Sequence, residues 1–178
     1  MNICVFCSSR DDIAEPFKQS AYSFGEWIAE HGHTLIYGGA TGGLMSSIAE
    51  GAASRKGEII GVIADPIIRM NRLSKLPTAL IKVKNLSERK DKMKEIADIF
   101  VILSGGIGTM DEMFDVLASG SVGEHNKPLI VLNQNGFYNG LVLLMNEMKK
   151  EKCIPENQSY TFTIVQNREE LTELIHNL

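Results

Sequence analysis

Cysteine is scarce in this sequence. Only Cys4, Cys7 and Cys153 occur in 178 residues, an odd count that makes a poor disulfide framework. Cys4 and Cys7 do stand at C-x-x-C spacing. A redox pair of that spacing opens a helix, however, and these two sit in the apolar run Ile3–Cys7. Residues three apart on a strand point to opposite faces, so both are expected to be buried structural thiols. A basic stripe is also missing. Lys and Arg number 18 against 22 Asp and Glu, for a net charge of -4, which argues against a nucleic-acid polymer as the main partner. No window approaches the roughly 18 apolar residues of a membrane span, and the opening MNICVFCSS has neither a basic leader nor a cleavage signature. The expectation is a cytoplasmic protein without membrane contact. His31, His33, His125 and His176 form no cluster with carboxylates, so no metal site is expected. Two phosphate-binding patterns are absent as well. Across Gly38–Gly43 no register gives G-x-G-x-x-G, because Ala40 or Thr41 falls where a glycine is required, and no Lys-Ser/Thr follows Gly43.

What is present is an alternation of strand and helix nearly from end to end. The length fits one domain covering residues 1–178. Strands are predicted at Ile3–Cys7, Thr34–Tyr37, Glu58–Ile63, Leu80–Val83, Ile99–Leu103, Pro128–Leu132 and Thr161–Val165. Helices are predicted at Pro16–His31, Leu44–Ser54, Ser87–Ala97, Thr109–Ala118, Gly136–Glu151 and Arg168–Asn177, the first carrying Phe17, Ala21, Phe24 and Ile28 at helical spacing. Ala64–Thr78, with Pro66 and Pro77, reads as a connecting flap. Continuous apolar strands such as IFVIL and LIVL imply burial on both faces. The fold class is therefore α/β: a doubly wound, mainly parallel sheet with right-handed crossovers, its ligand site at the carboxyl ends of the strands.

Two glycine loops fall at those ends. Ser104-Gly105-Gly106-Ile107-Gly108-Thr109 precedes a helix, where backbone amides and the positive end of the helix dipole suit a phosphate. Thr109-x-x-Glu112 equally fits a capping box closing a tight turn, and the residues alone leave both possibilities open. Between the loops runs Ser87-Glu88-Arg89-Lys90-Asp91-Lys92. Such a charge run is ordinarily a solvated helix turn, yet here it starts on the sheet edge that carries both loops. An arginine there could make a planar, bidentate contact with a phosphate or carboxylate.

Arg89-Lys90 followed by Gly105-Gly106-x-Gly108-Thr109-x-x-Glu112 resembles the LOG family, nucleoside 5′-monophosphate phosphoribohydrolases whose relatives often carry a lysine-decarboxylase label. The likeness extends through Val5-Phe6-Cys7-x-Ser9, Tyr37-Gly38-Gly39-x-x-x-Gly43-Leu44-Met45, Gly123-x-His125-x-Lys127-Pro128 and Asn133-x-x-Gly136-Phe137-Tyr138. It implies a Rossmann-like, three-layer fold, no cofactor, a small nucleotide as substrate, and homodimers with sites near the subunit interface. It also implies that Arg89 and Glu112 are catalytic. By the same resemblance Gly105, Gly106, Gly108 and Thr109 bind the 5′-phosphate, while Ser9, Gly39, Gly43, Met45 and Lys90 contribute to the substrate pocket. The chain departs from the family in having Ser8, Ser46, Ser87 and Ser104 where glycine, glycine, histidine and proline are usual.

Three functions follow as alternatives. The first is hydrolysis of the N-glycosidic bond of a nucleoside 5′-monophosphate, AMP or an N6-substituted, cytokinin-type relative. The second is a non-catalytic nucleotide carrier or sensor. The third is a pyridoxal-phosphate decarboxylase, which would need a lysine poised for a Schiff base, and no lysine here stands in a recognisable motif for one.

Overall fold

A computed structural model describes residues 1–155 and 160–178. In chain order the elements are β1 (Asn2–Phe6), α1 (Glu15–Glu30), β2 (Thr34–Tyr37), α2 (Gly43–Ser54), β3 (Glu58–Ala64), α3 (Asp65–Arg69), β4 (Ala79–Val83) and α4 (Leu86–Ile96). They continue with β5 (Ile99–Ile102), α5 (Ile107–Ser121), β6 (Leu129–Leu132), α6 (Asn139–Lys150), β7 (Thr163–Val165) and α7 (Arg168–His176). The strands form one sheet in the order β4-β3-β2-β1-β5-β6-β7, and each neighbouring pair is parallel.

That order explains where a ligand can go. From β1 the chain steps outward to the edge strand β4, and α4 then carries it back to β5, beside β1. The winding reverses between β1 and β5, so the helices after their carboxyl ends diverge and leave a crevice. Loops at that crevice are stitched together by backbone bonds. Ser8 N–H donates to Ser104 O at 3.1 Å, Leu103 N–H to Phe6 O at 3.0 Å, and Leu44 N–H to Ser8 O at 2.9 Å.

Side-chain alternation along β1 builds two cores, one per sheet face. Ile3, Val5 and Cys7 join Phe24 and Ile28 of α1, Ile48 of α2 and Leu171 and Ile175 of α7. Cys4 and Phe6 join Met93 of α4, Met113, Val116 and Leu117 of α5, and Tyr138. Each fully buried side chain of this size stabilises the fold by about 1.5–3 kcal/mol, so the two cores, not the loop contacts, fix the crevice. The thiols of Cys4 and Cys7 are free, buried and in opposite cores, as period-two alternation requires.

Most element ends shift by a residue or two from the sequence expectation, and three departures have a local reason. The flap contains a helix, α3, with Pro66 in its first turn, where a missing N–H costs nothing. A single helix over Gly136–Glu151 does not form. Asn135 and Gly136 take positive φ of 55° and 71°, and the Asn133 side chain accepts from Tyr138 N–H at 2.7 Å while donating to Asn139 at 2.9 Å. These bonds set a separate turn before α6. Finally, α5 begins at Ile107, two residues before Thr109, with Gly106 as N-cap and no side-chain capping bond. Thr109 and Glu112 lie inside the helix. The capping box is therefore not formed, and Glu112 is released from the structural role that competed for it.

Candidate active site

The charge run on α4 divides by helical geometry. Asn85 is the N-cap: its side chain accepts from Glu88 N–H at 2.9 Å, and the Glu88 carboxylate accepts from Lys84 N–H at 3.0 Å. This reciprocal pairing fixes the helix start. One residue on, Arg89 turns inward and is only 9% exposed. Lys92 turns outward to Glu95 at 2.8 Å, the ordinary solvated arrangement.

Arg89 meets Glu112 of α5, which is 2% exposed, with Nη2 donating to Oε1 at 2.5 Å. Burial pushes the Glu112 carboxyl up to about 7, against the opposing pull of Arg89; Asp111 and Asp115 add to the rise and Lys90 counters it. Removal from water disfavours the charged form, and a neighbouring cation recovers only part of that loss. Glu112 thus titrates near neutrality. Arg89 Nε is also buried and has no hydrogen-bond partner among the described residues, a deficit worth about 1–3 kcal/mol that a ligand oxygen would relieve.

This pair forms one wall of a cavity of about 350 Å³, lined also by Cys7, Ser8, Ser9, Met45 and Thr109. Gly106, Ile107 and Gly108 form its rim. The first-turn amides of α5 have no acceptor within the helix. A side chain at Gly106 or Gly108 would meet nothing within 4 Å, so internal packing does not demand glycine there. What glycine does provide is unobstructed access to those amides. Gly105 is different: a Cβ there would run into Thr109. Cys7 in this wall is no nucleophile, because burial pushes its thiol up far beyond neutrality.

Of the residues singled out from sequence, Ser9, Met45, Arg89, Gly106, Gly108, Thr109 and Glu112 line the cavity together. Gly39, Gly43, Lys90 and Gly105 stand behind it. Gly43, at φ 49°, donates to Asp11 at 3.0 Å and lies against the Arg10 backbone. Gly39 packs on β3 beside Ile63 and Gly61. Lys90 reaches Asp111 at 2.9 Å and Asp115 at 3.3 Å, and Lys94 reaches Asp115 at 2.6 Å. Together these bridges clamp α4 to α5 directly beside the Arg89–Glu112 pair.

Sequence reasoning passed over Arg10, Ile67, Met70, Arg72 and Leu86, which also line the cavity. Arg72 gave one signal. It lies in the flap that follows β3, on the same sheet edge as the glycine loops. Its Nη2 donates to Ser9 O at 2.6 Å and Thr41 O at 2.8 Å, strapping the flap over the crevice. Among the described lining residues there is no lysine to form a Schiff base.

Comparison with known proteins identifies the chain's relatives. The family described as "Possible lysine decarboxylase" matches residues 45–175. A probable cytokinin riboside 5′-monophosphate phosphoribohydrolase of Oryza sativa subsp. japonica is 32% identical over 95% of this chain and 74% of its own length. A cytokinin riboside 5′-monophosphate phosphoribohydrolase of Rhodococcoides fascians is 35% identical over 79% of this chain and 72% of its own. Among solved structures, a molybdenum cofactor binding protein from Rippkaea orientalis superposes with a TM-score of 0.75 at 23% identity, over 99% of this chain and 95% of that one. At that identity the likeness describes the three-layer fold and its parallel sheet.

Proposed function

Because the chain belongs to the LOG family of phosphoribohydrolases, we propose that it hydrolyses the N-glycosidic bond of a nucleoside 5′-monophosphate, releasing the free base and ribose 5-phosphate. The observation that carries this is the buried Arg89–Glu112 pair, set beside open helix amides in one nucleotide-sized cavity. AMP, or adenine nucleotides substituted at N6 as in the cytokinins named for the relatives, is the substrate class.

Chemistry follows from placement. The 5′-phosphate sits on the α5 first turn, where amides and helix dipole favour an anion. This places the ribose over Glu112. As the C1′–N bond breaks, its electron pair leaves with the base, and positive charge develops across C1′ and the ring oxygen. The Glu112 carboxylate, itself 2% exposed, stabilises that charge. It also accepts a proton from the water whose oxygen bonds to C1′, while the departing base takes up a proton. A carboxyl titrating near 7 suits this task, since a general base works best when its pKa lies near the working pH. Arg89 holds Glu112 ionised and in orientation. The phosphate supplies binding energy remote from the reacting atoms.

Incubation with a panel of nucleoside monophosphates, followed by chromatography for free bases, tests this directly. AMP is expected to be cleaved and adenosine to be far slower. Equal turnover of the two would remove the role given to the glycine loop, and binding of AMP without base release would make the protein a carrier.

A further inference from the structure

A second cavity, about 680 Å³, adjoins the first and shares Arg10 and Arg72 with it. Among the described residues no apolar side chain lines it. Its two arginines and two aspartates balance in number and differ in their partners. Asp12 pairs with Arg10 at 3.3 Å, a bond that holds its carboxyl below the usual range. Asp11 accepts from Gly43 N–H at 3.0 Å, at the positive end of α2. Ser46 Oγ accepts from Gly42 N–H at 2.7 Å. Arg72 is the exception. Its Nη2 donates to the neutral carbonyls of Ser9 and Thr41, and among the described residues no carboxylate pairs with it. A guanidinium carries five N–H donors, and two backbone carbonyls leave most of them for a ligand.

The relation between the cavities gives this direction. Ser9, Arg10 and Arg72 line both cavities and so stand at the passage from the one that holds Glu112 to the other. A group on the exocyclic nitrogen of the base would pass between them into the second cavity. We propose that this cavity is a subsite for a substituent on the base, that the substituent carries a carboxylate, and that Arg72 binds it. The inference rests on the nucleotide-hydrolase reading above. An isoprenoid tail gains little there, because it would displace water from charged and polar groups without pairing them. A planar carboxylate matches the guanidinium fork; among the described lining charges Arg72 and Asp11 make no ion pair, and Asp11 is already held by the Gly43 amide at the start of α2.

The test measures kcat/KM for AMP, N6-(carboxymethyl)-AMP and N6-isopentenyl-AMP with the whole chain and with Arg72→Gln. Reading each preference as a ratio within one protein cancels any loss from a loosened strap. The unsubstituted protein is expected to favour the carboxymethyl nucleotide over AMP by about tenfold or more, the scale of one charge-assisted contact. That ratio should fall to near one in Arg72→Gln, and isopentenyl-AMP should do no better than AMP. With AMP cleaved, three results overturn the subsite and leave the hydrolase standing: no carboxylate preference, a preference that survives Arg72→Gln, or a preference for isopentenyl-AMP. Failure to cleave any of the three overturns both.

Discussion

Arg89 and Lys90 are neighbours on α4 that reach two different levels of α5: Arg89 donates to buried Glu112, and Lys90 bridges Asp111 and Asp115 at the surface. A helix turns by about 100° per residue, so adjacent side chains diverge, and one charge run supplies both a buried pair and an outer clamp. The inner contact is built for chemistry and the outer one holds the helices at the spacing the inner one needs.

The pH dependence of the reaction should report Glu112. Its ionised form is the active one, so kcat/KM should rise with pH through an apparent pKa near 7 and then level off. Arg89 opposes the upward shift, so Arg89→Met should move the acid limb to higher pH as well as slowing the reaction. The same shift has a stability counterpart. A carboxyl whose folded pKa lies above its unfolded value contributes stability fully below about pH 4.5, and that contribution is lost as pH rises through 7. Urea titrations of wild type and Glu112→Gln at pH 4.5 and 8 should show this difference between the two proteins. A pH-independent rate between 6 and 8 would contradict the assignment.

Lys90→Met tests the clamp. The Lys90 side chain is 16% exposed and Asp111 53%, so solvent screening keeps the paired value to about 1 kcal/mol. Thermal melting should therefore drop by about 2–4 °C. Because Lys90 stands behind the cavity wall, kcat should fall several-fold with KM for AMP little changed. A selective rise in KM would instead return Lys90 to direct substrate contact.

Legibility from sequence divided along physical lines. Apolar periodicity and the strand–helix alternation sufficed for the sheet, because parallel strands buried on both faces cannot hide polar residues. Thr34–Tyr37 forms with the boundaries expected. Arg89 and Glu112 were legible only through a motif, since nothing local tells an inward arginine from the solvated Lys92 three residues later; the difference is the direction in which the helix faces its neighbour. Arg72 was legible only by its place in the flap, for another reason. Its role depends on a strap to Ser9 and Thr41, 63 and 31 residues away, and long-range pairing of that kind leaves no periodic trace. The α6 start was misjudged because Asn133 and Asn135 set turn geometry that apolar spacing does not register.

The exposed face of α5 leads to a prediction about assembly. Ile107 is 91% exposed, Phe114 37%, and Val122, just past the helix, 74%. Exposed apolar side chains at this spacing fall near one helix face, interrupted by Asp111, and mark a candidate interaction face; we propose that it pairs two copies of the chain. Light scattering at micromolar concentration should return twice the 19.7 kDa chain mass, and Phe114→Glu should shift the population toward monomer. A monomer mass for the unsubstituted chain would contradict the proposal.

Glu112→Gln bears most directly on the central claim. Since Glu112 caps nothing and is paired with buried Arg89, the substitution trades a charge-assisted bond for a neutral one while removing a buried carboxylate that burial already disfavours, leaving a folded protein. The carboxylate, however, is gone from the point where positive charge develops, which costs on the order of 10²–10³ in rate. The measurement is single-turnover release of adenine from bound AMP at pH 8, with bound AMP and the folded fraction determined on the same sample. The account predicts a variant that binds AMP and releases base at least a hundredfold more slowly per folded molecule. Near-normal release per folded molecule would contradict it.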